Sequence, residues 1–379
     1  MRFDNNRKVL RLFLEGEINS YNADNILNEV EGIIAKETFD KLVLDFSSVS
    51  YISSAGLRFI LKLKQKYNDV VVVETSLDVY DIFNMTGFTS IMTVKKALAE
   101  VYLSGAQVIG SGYYSTVYRL NSDTIVKIFN HVSDEEQIER ELSLSKEAFM
   151  LGIPTAISFD VVKAGDKLGV RFEMLDCKPL KDVIDEKPEY IQKYADLLRK
   201  MNSLESQNPN IPSIKDQFLT KLEDFKDALS NEQFAKVQKL LKDIPDRHTL
   251  VHGDCHFKNI LVQNDELLLI DMETLSVGHP IFELASLYCA YIGFSEFNPE
   301  ESMEFFGVPS EKAKEIYNSV INLYFNKDDE DIKNKIALVG YVNIARWYKV
   351  HSSNKETFKK YLERLFTLLD KYNDLDVGI

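Results

Sequence analysis

Cysteine is scarce in this 379-residue chain: Cys177, Cys255 and Cys289 are scattered, odd in number and form no C-x-x-C pair. That usage excludes a disulfide framework and suits a reducing compartment. Long apolar runs are missing too. The longest, residues 336–345, is interrupted by Gly340 and Asn343 and is too short to span a bilayer. The opening Met1-Arg2-Phe3-Asp4-Asn5-Asn6-Arg7 is polar and of mixed charge, without the apolar stretch of a secretion signal. The expected location is therefore the cytoplasm, with no membrane partner. Positive charge is in deficit: 45 Lys and Arg against 59 Asp and Glu leave a net of −14, most of it after residue 103. A nucleic-acid partner is not expected, because phosphate neutralisation needs a basic face. What remains is 45% hydrophobic and 27% charged, which excludes disorder as the main state, and the length exceeds one ordinary domain.

Strand and helix patterns alternate through the first hundred residues. Val9, Leu10, Leu12 and Leu14 read as a strand ending at Gly16, and Asn19 and Ser20 offer caps for a helix carrying Ile26, Leu27, Val30, Ile33 and Ile34. A second strand, 42–46, leads through Ser47 to Ile52 into a helix from Ser54. An apolar strand (70–73), a short helix (79–85) and a last strand near Ile91 follow. The pattern predicts a small α/β sandwich.

The segment Asp45-Phe46-Ser47-Ser48-Val49-Ser50-Tyr51-Ile52-Ser53-Ser54-Ala55-Gly56-Leu57-Arg58 resembles the signature of STAS domains, the anti-sigma factor antagonists and their relatives. Gly16-Glu17-Ile18-Asn19 and Phe83-Asn84-Met85-Thr86-Gly87-Phe88 fit the same pattern. The resemblance implies an interaction module with a protein partner, and it places the family's phosphoacceptor serine on Ser54. At a helix N-terminus a phosphate is tolerated locally and changes the surface by almost two charges. The family often has an acid just before that serine, where this chain has Ser53; the plainer reading of Ser54 is an N-cap.

No Pro-rich or Ser-rich linker follows; the expected domains are 1–102 and 103–379. From Gln107 a strand, Gly110-Ser111-Gly112-Tyr113-Tyr114-Ser115 and another strand read as a hairpin with glycines at its tip, the wrong setting for a dinucleotide fingerprint but suited to lie over phosphates. The next strand delivers Lys127, a point charge of the kind that grips nucleotide phosphates. Glu139, Glu141 and Glu147 on the following helix compete to pair with it. The strongest signal is Val251-His252-Gly253-Asp254-Cys255-His256-Phe257-Lys258-Asn259-Ile260-Leu261, a turn at Asn264-Asp265, then Leu267-Leu268-Leu269-Ile270-Asp271-Met272-Glu273. Asp254 is placed to accept a proton from a substrate hydroxyl, and Asn259 and Asp271 supply hard oxygens for Mg²⁺.

These elements, in this order, resemble the aminoglycoside phosphotransferase and choline kinase-like enzymes, a branch of the protein-kinase-like fold, over about residues 105 to 365. Gly278-His279-Pro280-Ile281-Phe282-Glu283-Leu284-Ala285 fits that family, which commonly has an acid before Leu-Ala. The resemblance implies ATP and Mg²⁺ between an N-lobe (about 103–175) and a C-lobe (about 176–379). It favours Glu141 as partner of Lys127 and makes Glu173-Met174-Leu175 the adenine-contacting hinge. The Gly-rich loop has Ser115 at its third small position, and Asn202 stands where the branch often has histidine. Met272-Glu273 follows Asp271, with no Ala-Pro-Glu beyond, so a small molecule is the expected acceptor rather than a protein.

The whole is an α/β STAS-type sandwich followed by a two-lobed α+β protein-kinase-like fold. A zinc site at His252, Cys255 and His256 is disfavoured, since Gly253 after a strand argues for a loop where zinc ligands at that spacing want a helix. The expected function is phosphotransfer from ATP to a hydroxyl of an aminoglycoside, choline or sugar-like molecule, with the STAS domain docking or regulating. The alternatives are a switch whose kinase domain phosphorylates Ser54 of its own or a partner STAS domain, and a nucleotide-binding pseudokinase scaffold.

Overall fold

The computed structural model describes residues 1–6, 8–112, 114–131 and 135–379, so Tyr113 of the glycine-rich hairpin lies outside the described residues. Two compact units divide the chain, Met1–Val101 and Tyr102–Ile379.

The first unit is a five-stranded sheet, ordered β1 (Arg2–Asn6), β2 (Val9–Ile18), β3 (Lys41–Ile52), β4 (Val70–Thr75) and β5 (Val94–Lys96). The last four strands run parallel, so each step needs a crossover, supplied by α1 (Ala23–Ile34), α2 (Ser54–Lys66) and α3 (Leu77–Met85). Leu10, Leu12, Leu44, Phe46, Val72 and Ile60 form the core on one face. On the other face Arg11 reaches the buried Asp45, its Nε donating over 2.8 Å. A short strand, β6 (Ala99–Glu100), follows in the chain and is not part of this five-stranded sheet. The chain departs from its sequence pattern at both ends. β1 was not legible because all five of its residues are exposed and carry no alternation. No strand forms at Ile91; Gly87, at φ +79°, turns the chain into a 3₁₀ turn (Phe88–Ser90), and the last strand starts at Val94.

The second unit opens with an antiparallel sheet in which β10 (Ser158–Ala164), β11 (Lys167–Glu173), β9 (Thr124–Phe129), β8 (Ser115–Arg119) and β7 (Gln107–Ser111) are neighbours in that order. Helix α4 (Glu135–Met150) packs on it through Ile138, Leu144 and Ala148. After β12 (Lys178–Pro179) and the single turn α5 (Leu180–Val183) the chain is mostly helical: α6 (Glu189–Ser203), α7 (Ile214–Glu223) and α8 (Asn231–Asp243), then α9 (Ile281–Tyr288), α10 (Glu300–Phe306), α11 (Ser310–Phe325), α12 (Glu330–His351) and α13 (Lys355–Lys371). Between these groups lie β13 (Leu250–Val251), β14 (Ile260–Gln263), β15 (Glu266–Leu269) and β16 (Ser276–Val277). Asn264 and Asp265, both at positive φ, make the β14–β15 turn. No helix among the described residues is long and apolar enough to cross a membrane.

Close helix approach is glycine-dependent where α12 crosses α9. A Cβ on Gly340 would stand 2.7 Å from Tyr288 Cδ1 and 3.3 Å from the Ala285 carbonyl, whereas one on Gly32 in α1 would meet nothing within 4 Å. Gly340→Ala should therefore destabilise the larger unit by about 1–3 kcal/mol despite the better helix former. Gly32→Ala should leave stability equal or raise it by up to about 1 kcal/mol. Urea unfolding of each variant checks both signs.

Candidate active site

Strand β9 is apolar except for Lys127, whose neighbours Val126 and Ile128 fix it in the sheet while its own side chain leaves the opposite face. Its ammonium lies 2.8 Å from Glu141 Oε1 on α4 and 2.7 Å from Asp271 Oδ1. Of the three candidate glutamates on α4, Glu141 is thus the partner; Glu147 instead accepts from Ser206. The hairpin β7–β8 pairs Gly110 with Val117 and Ser111 with Thr116, and Gly112 N–H donates to the Ser115 carbonyl over 2.9 Å. Asn130, just past β9, donates to the Gly112 carbonyl. Beyond β11, the Glu173 carboxylate accepts from Ile157 N–H and Met174 N–H is taken by the Asp123 carbonyl. Leu175 N–H has no partner among the described residues, as a donor to a ligand requires.

The loop from β13 to β14 is hung on buried polar groups. Glu283 on α9, fully buried, accepts the N–H groups of His252 and Gly253 at 2.5 and 3.1 Å. The Thr274 hydroxyl donates to the His252 carbonyl, and the Tyr194 hydroxyl donates to the Cys255 carbonyl over 2.6 Å. His252 Nδ1 accepts from Asp254 N–H, so its Nε2 donates to the Ile270 carbonyl. Both ring nitrogens are engaged and burial drives the Cys255 thiol well up, which leaves no zinc site at His252, Cys255 and His256. Gly253, at φ +80° and 3.3 Å by its missing Cβ from the Thr274 carbonyl, lets the loop turn there. Asn202 donates to the Leu250 carbonyl and accepts from Tyr324, which ties α6 to β13 and α11.

Asp254 therefore emerges with half its side chain exposed. One of its oxygens accepts from Asn259 Nδ2 over 3.0 Å; the other is 3.4 Å from His256 Nε2. Burial of the surrounding pocket would raise the Asp254 carboxyl, but His256, His252 and Asn259 hold it below the usual range, so it is an ionised acceptor at neutral pH. The Asn259 amide oxygen is left free of partners among the described residues. Asp271 occupies left-handed backbone at φ 68°, a conformation held in place by the β14–β15 ladder and the Pro154 carbonyl that accepts from Leu269. Lys127 would be pushed down by burial, but Asp271 and Glu141 more than offset this and leave it raised and charged. Glu141, pushed up by burial, is opposed by Lys127.

Oxygens of Glu141, Asp271 and Glu273 lie within 4.8 Å of one another. With the free amide oxygen of Asn259, this donor set fits a hard divalent cation. The structure thus brings together Lys127, Glu141, Asn259, Asp271 and Asp254, while Gly110 to Ser115 and the 173–175 segment stay in the small lobe. Three residues were not assigned their parts by sequence. Glu273 was legible only as a replacement, Glu283 only as an acid before Leu-Ala, and His256 only as a rejected zinc ligand. Ser54 is not the N-cap of α2: Ser53 is, accepting from Ala55 and Gly56 N–H, and Ser54 is the exposed first helical residue.

Residues 105–308 match the model of the phosphotransferase enzyme family, and residues 2–101 that of the STAS domain. The N-terminal unit is similar to a Bordetella bronchiseptica protein named as an anti-sigma factor antagonist, BtrV: 36% identical over 85 residues, 21% of this chain and 72% of that one. Among solved structures, a choline/ethanolamine kinase family protein from Mesorhizobium loti is 14% identical over 70% of this chain and 88% of its own, at a TM-score of 0.46. The amicoumacin kinase hAmiN, in complex with AMP-PNP, Ca²⁺ and Ami, is 13% identical over 82% of this chain and 96% of its own, at 0.48.

Burial and the charge of Asp271 push the Glu273 carboxyl up to about 7 from an ordinary 4.5. In the unfolded chain it ionises at the ordinary value, so stability falls as pH rises through that window and the full penalty is present above it. Glu273→Gln should raise the Tm of the metal-free protein at about pH 8 and leave it unchanged at about pH 4. Thermal melts across that range check the sign.

Proposed function

The chain belongs to the phosphotransferase enzyme family, and we propose that it transfers the γ-phosphate of ATP to a hydroxyl of a small molecule, with its STAS domain docking a protein partner. The observation that carries this reading is an ionised, half-exposed Asp254 held by Asn259, on the same loop as the free Asn259 oxygen, together with the buried Lys127 held between Glu141 and Asp271. Asp254 takes the proton of the acceptor hydroxyl; the oxygen attacks the γ-phosphorus, the bond to the β,γ-bridging oxygen breaks, and ADP leaves. Asn259 fixes one oxygen of that carboxylate and His256 flanks the other, so the base is oriented before the acceptor arrives. Lys127 exchanges Asp271 for the α- and β-phosphates while Glu141 keeps its ammonium in place. The 110–115 loop covers the phosphates, and the Leu175 N–H at the 173–175 hinge receives the adenine. Mg²⁺, bound by Asn259 and Asp271, supplies neutralisation of phosphate charge. The departure from protein kinases after Asp271 supports a small acceptor.

A second reading draws on Ser54, exposed at the first turn of α2: the kinase unit phosphorylates that hydroxyl in this chain or in a partner's STAS domain. ADP release and intact mass with Mg²⁺ and ATP separate the readings. Acceptor-dependent ADP release without mass gain supports small-molecule transfer, and Asp254→Asn should lower kcat by about 10²–10⁴-fold. One phosphate mapped to Ser54, absent in Asp254→Asn, would replace that reading with the switch. Nucleotide binding without either product would leave a scaffold.

A further inference from the structure

Directly after α9 the chain makes a π turn, Cys289–Gly293, in which the Phe294 N–H donates to the Cys289 carbonyl over 3.0 Å. Such a turn widens the helix by one residue and changes the face that the next side chains take. Tyr288 and Tyr291 show the effect. Three apart, they would share one face of an α-helix. Instead Tyr288 donates to Tyr341 on α12 over 2.8 Å, while Tyr291 lies against the loop that carries Asp254. The turn is also held from behind. The Tyr361 hydroxyl on α13 faces the Gly293 and Phe294 carbonyls at 2.7 and 3.2 Å, and a Cβ on Gly293 would overlap Ile344 on α12.

Tyr291 meets the Asp254 loop in two ways. Its ring stands edge-on to Phe257, with centroids 4.4 Å apart, and Phe257 is two residues before Asn259. Its hydroxyl lies 3.0 Å from that of Tyr194 on α6. The Tyr194 proton is committed to the Cys255 carbonyl at 2.6 Å, so Tyr291 must be the donor to Tyr194. A relay therefore runs from Tyr291 through Tyr194 to the peptide between Cys255 and His256. That peptide joins Asp254 to the imidazole that flanks it at 3.4 Å. Tyr194, Tyr291, Cys255 and Phe257 are at most 2% exposed, so both contacts are shielded from water. Burial also drives both phenols far above their ordinary ionisation, which keeps them neutral donors.

We propose that Tyr291 is a positioning residue for phosphotransfer whose two ends serve different groups. The hydroxyl, through Tyr194, orients Asp254; the ring, through Phe257, sets the Asn259 oxygen for the metal. This rests on the reading of Asp254 as the base and Asn259 as a metal ligand.

The full-length protein is compared with Tyr291→Phe, Tyr194→Phe, their double variant and Tyr291→Leu, under conditions where urea unfolding shows each to be folded. Three readouts are followed: Mn²⁺ binding in the presence of ADP, from the EPR signal of the free ion; ADP release to water from Mg²⁺ and ATP; and amide exchange over 252–259. Tyr291→Phe should lower kcat by about 3–10-fold at unchanged KM for ATP and unchanged Mn²⁺ affinity. Tyr194→Phe should lose at least as much, and the double variant no more than Tyr194→Phe alone, because both remove one relay. Tyr291→Leu should in addition weaken Mn²⁺ binding by at least about fivefold. Where that variant does not fold, Phe257→Leu reports the same ring contact. Tyr291→Phe at the wild-type rate, additive losses in the double variant, or wild-type Mn²⁺ affinity without the ring contact overturns the proposal. A wild type that binds Mn²⁺ and releases no ADP overturns phosphotransfer and not the positioning. Faster exchange confined to 252–259 in Tyr291→Phe then supports the relay, and unchanged exchange overturns it. Failure of both Mn²⁺ binding and ADP release overturns the two together.

Discussion

Lys127 sits 12% exposed between Glu141 at 2.8 Å and Asp271 at 2.7 Å, and the rest of the catalytic arrangement depends on that contact. It joins the sheet of the small lobe, the one long helix packed on it, and the turn after β15. Its value is geometric more than stabilising. Desolvating an ammonium and a carboxylate costs several kcal/mol each, and mutual attraction only roughly offsets this. The same ammonium also restrains a crowd of negative charge: Glu141, Asp271 and Glu273 converge, and the Asp271 charge adds to burial in raising the proton affinity of both glutamates. A lysine in this position is a resting counter-ion for a cluster of carboxylates, and it can change partners without moving its backbone.

The second constraint is the loop that carries Asp254. It has no ladder of its own, and β13 beside it is only two residues long. Its backbone is fixed by Glu283, Thr274 and Tyr194, each reaching in from a different element, and by its own His252, which donates to the Ile270 carbonyl. One Glu283 oxygen accepts two N–H groups while the other is buried without a partner, which helps explain why burial holds that carboxyl above its usual range. A fully satisfied apolar alternative would be more stable but would not fix the direction of Gly253 and Asp254. The loop is rigid because its polar neighbours are buried, and Asp254 is free because those neighbours leave its tip in solvent.

What the sequence made legible follows from how local each signal is. Strand alternation and helical spacing exposed the α/β unit, and the 251–273 spacing exposed Asp254, Asn259 and Asp271, because those residues are within one hairpin of each other. Glu141 could be preferred over Glu139 and Glu147 only by resemblance, since the choice depends on the rotation of α4 against β9. β1 escaped because an exposed edge strand need not alternate, and the strand placed at Ile91 was displaced because Gly87 inserts a 3₁₀ turn ahead of it. On α4 the large apolar Phe149 is 47% exposed, while the small Ala148 and Ser145 are buried. Glu273 and Glu283 had a place in the pattern but no assigned part. Their parts arise only when α9 and the 272–274 turn are brought against the Asp254 loop and Lys127.

The contrast between whole-chain charge and site charge shows why composition is a poor guide to what a site binds. A net of −14 seems to invite cations, yet screening in physiological salt erases exposed charges beyond about 8–10 Å. At the site, selection depends on the few groups inside that radius. There Asp224 and Asp227, just past α7, are neutralised by Arg346 and Lys349 from α12, and Glu141 and Asp271 share the ammonium of Lys127. The acidic excess therefore belongs to the solvated surface, and it governs solubility and nonspecific encounter rather than recognition. A protein can be strongly anionic as a whole and still keep a charged lysine at the centre of its candidate site.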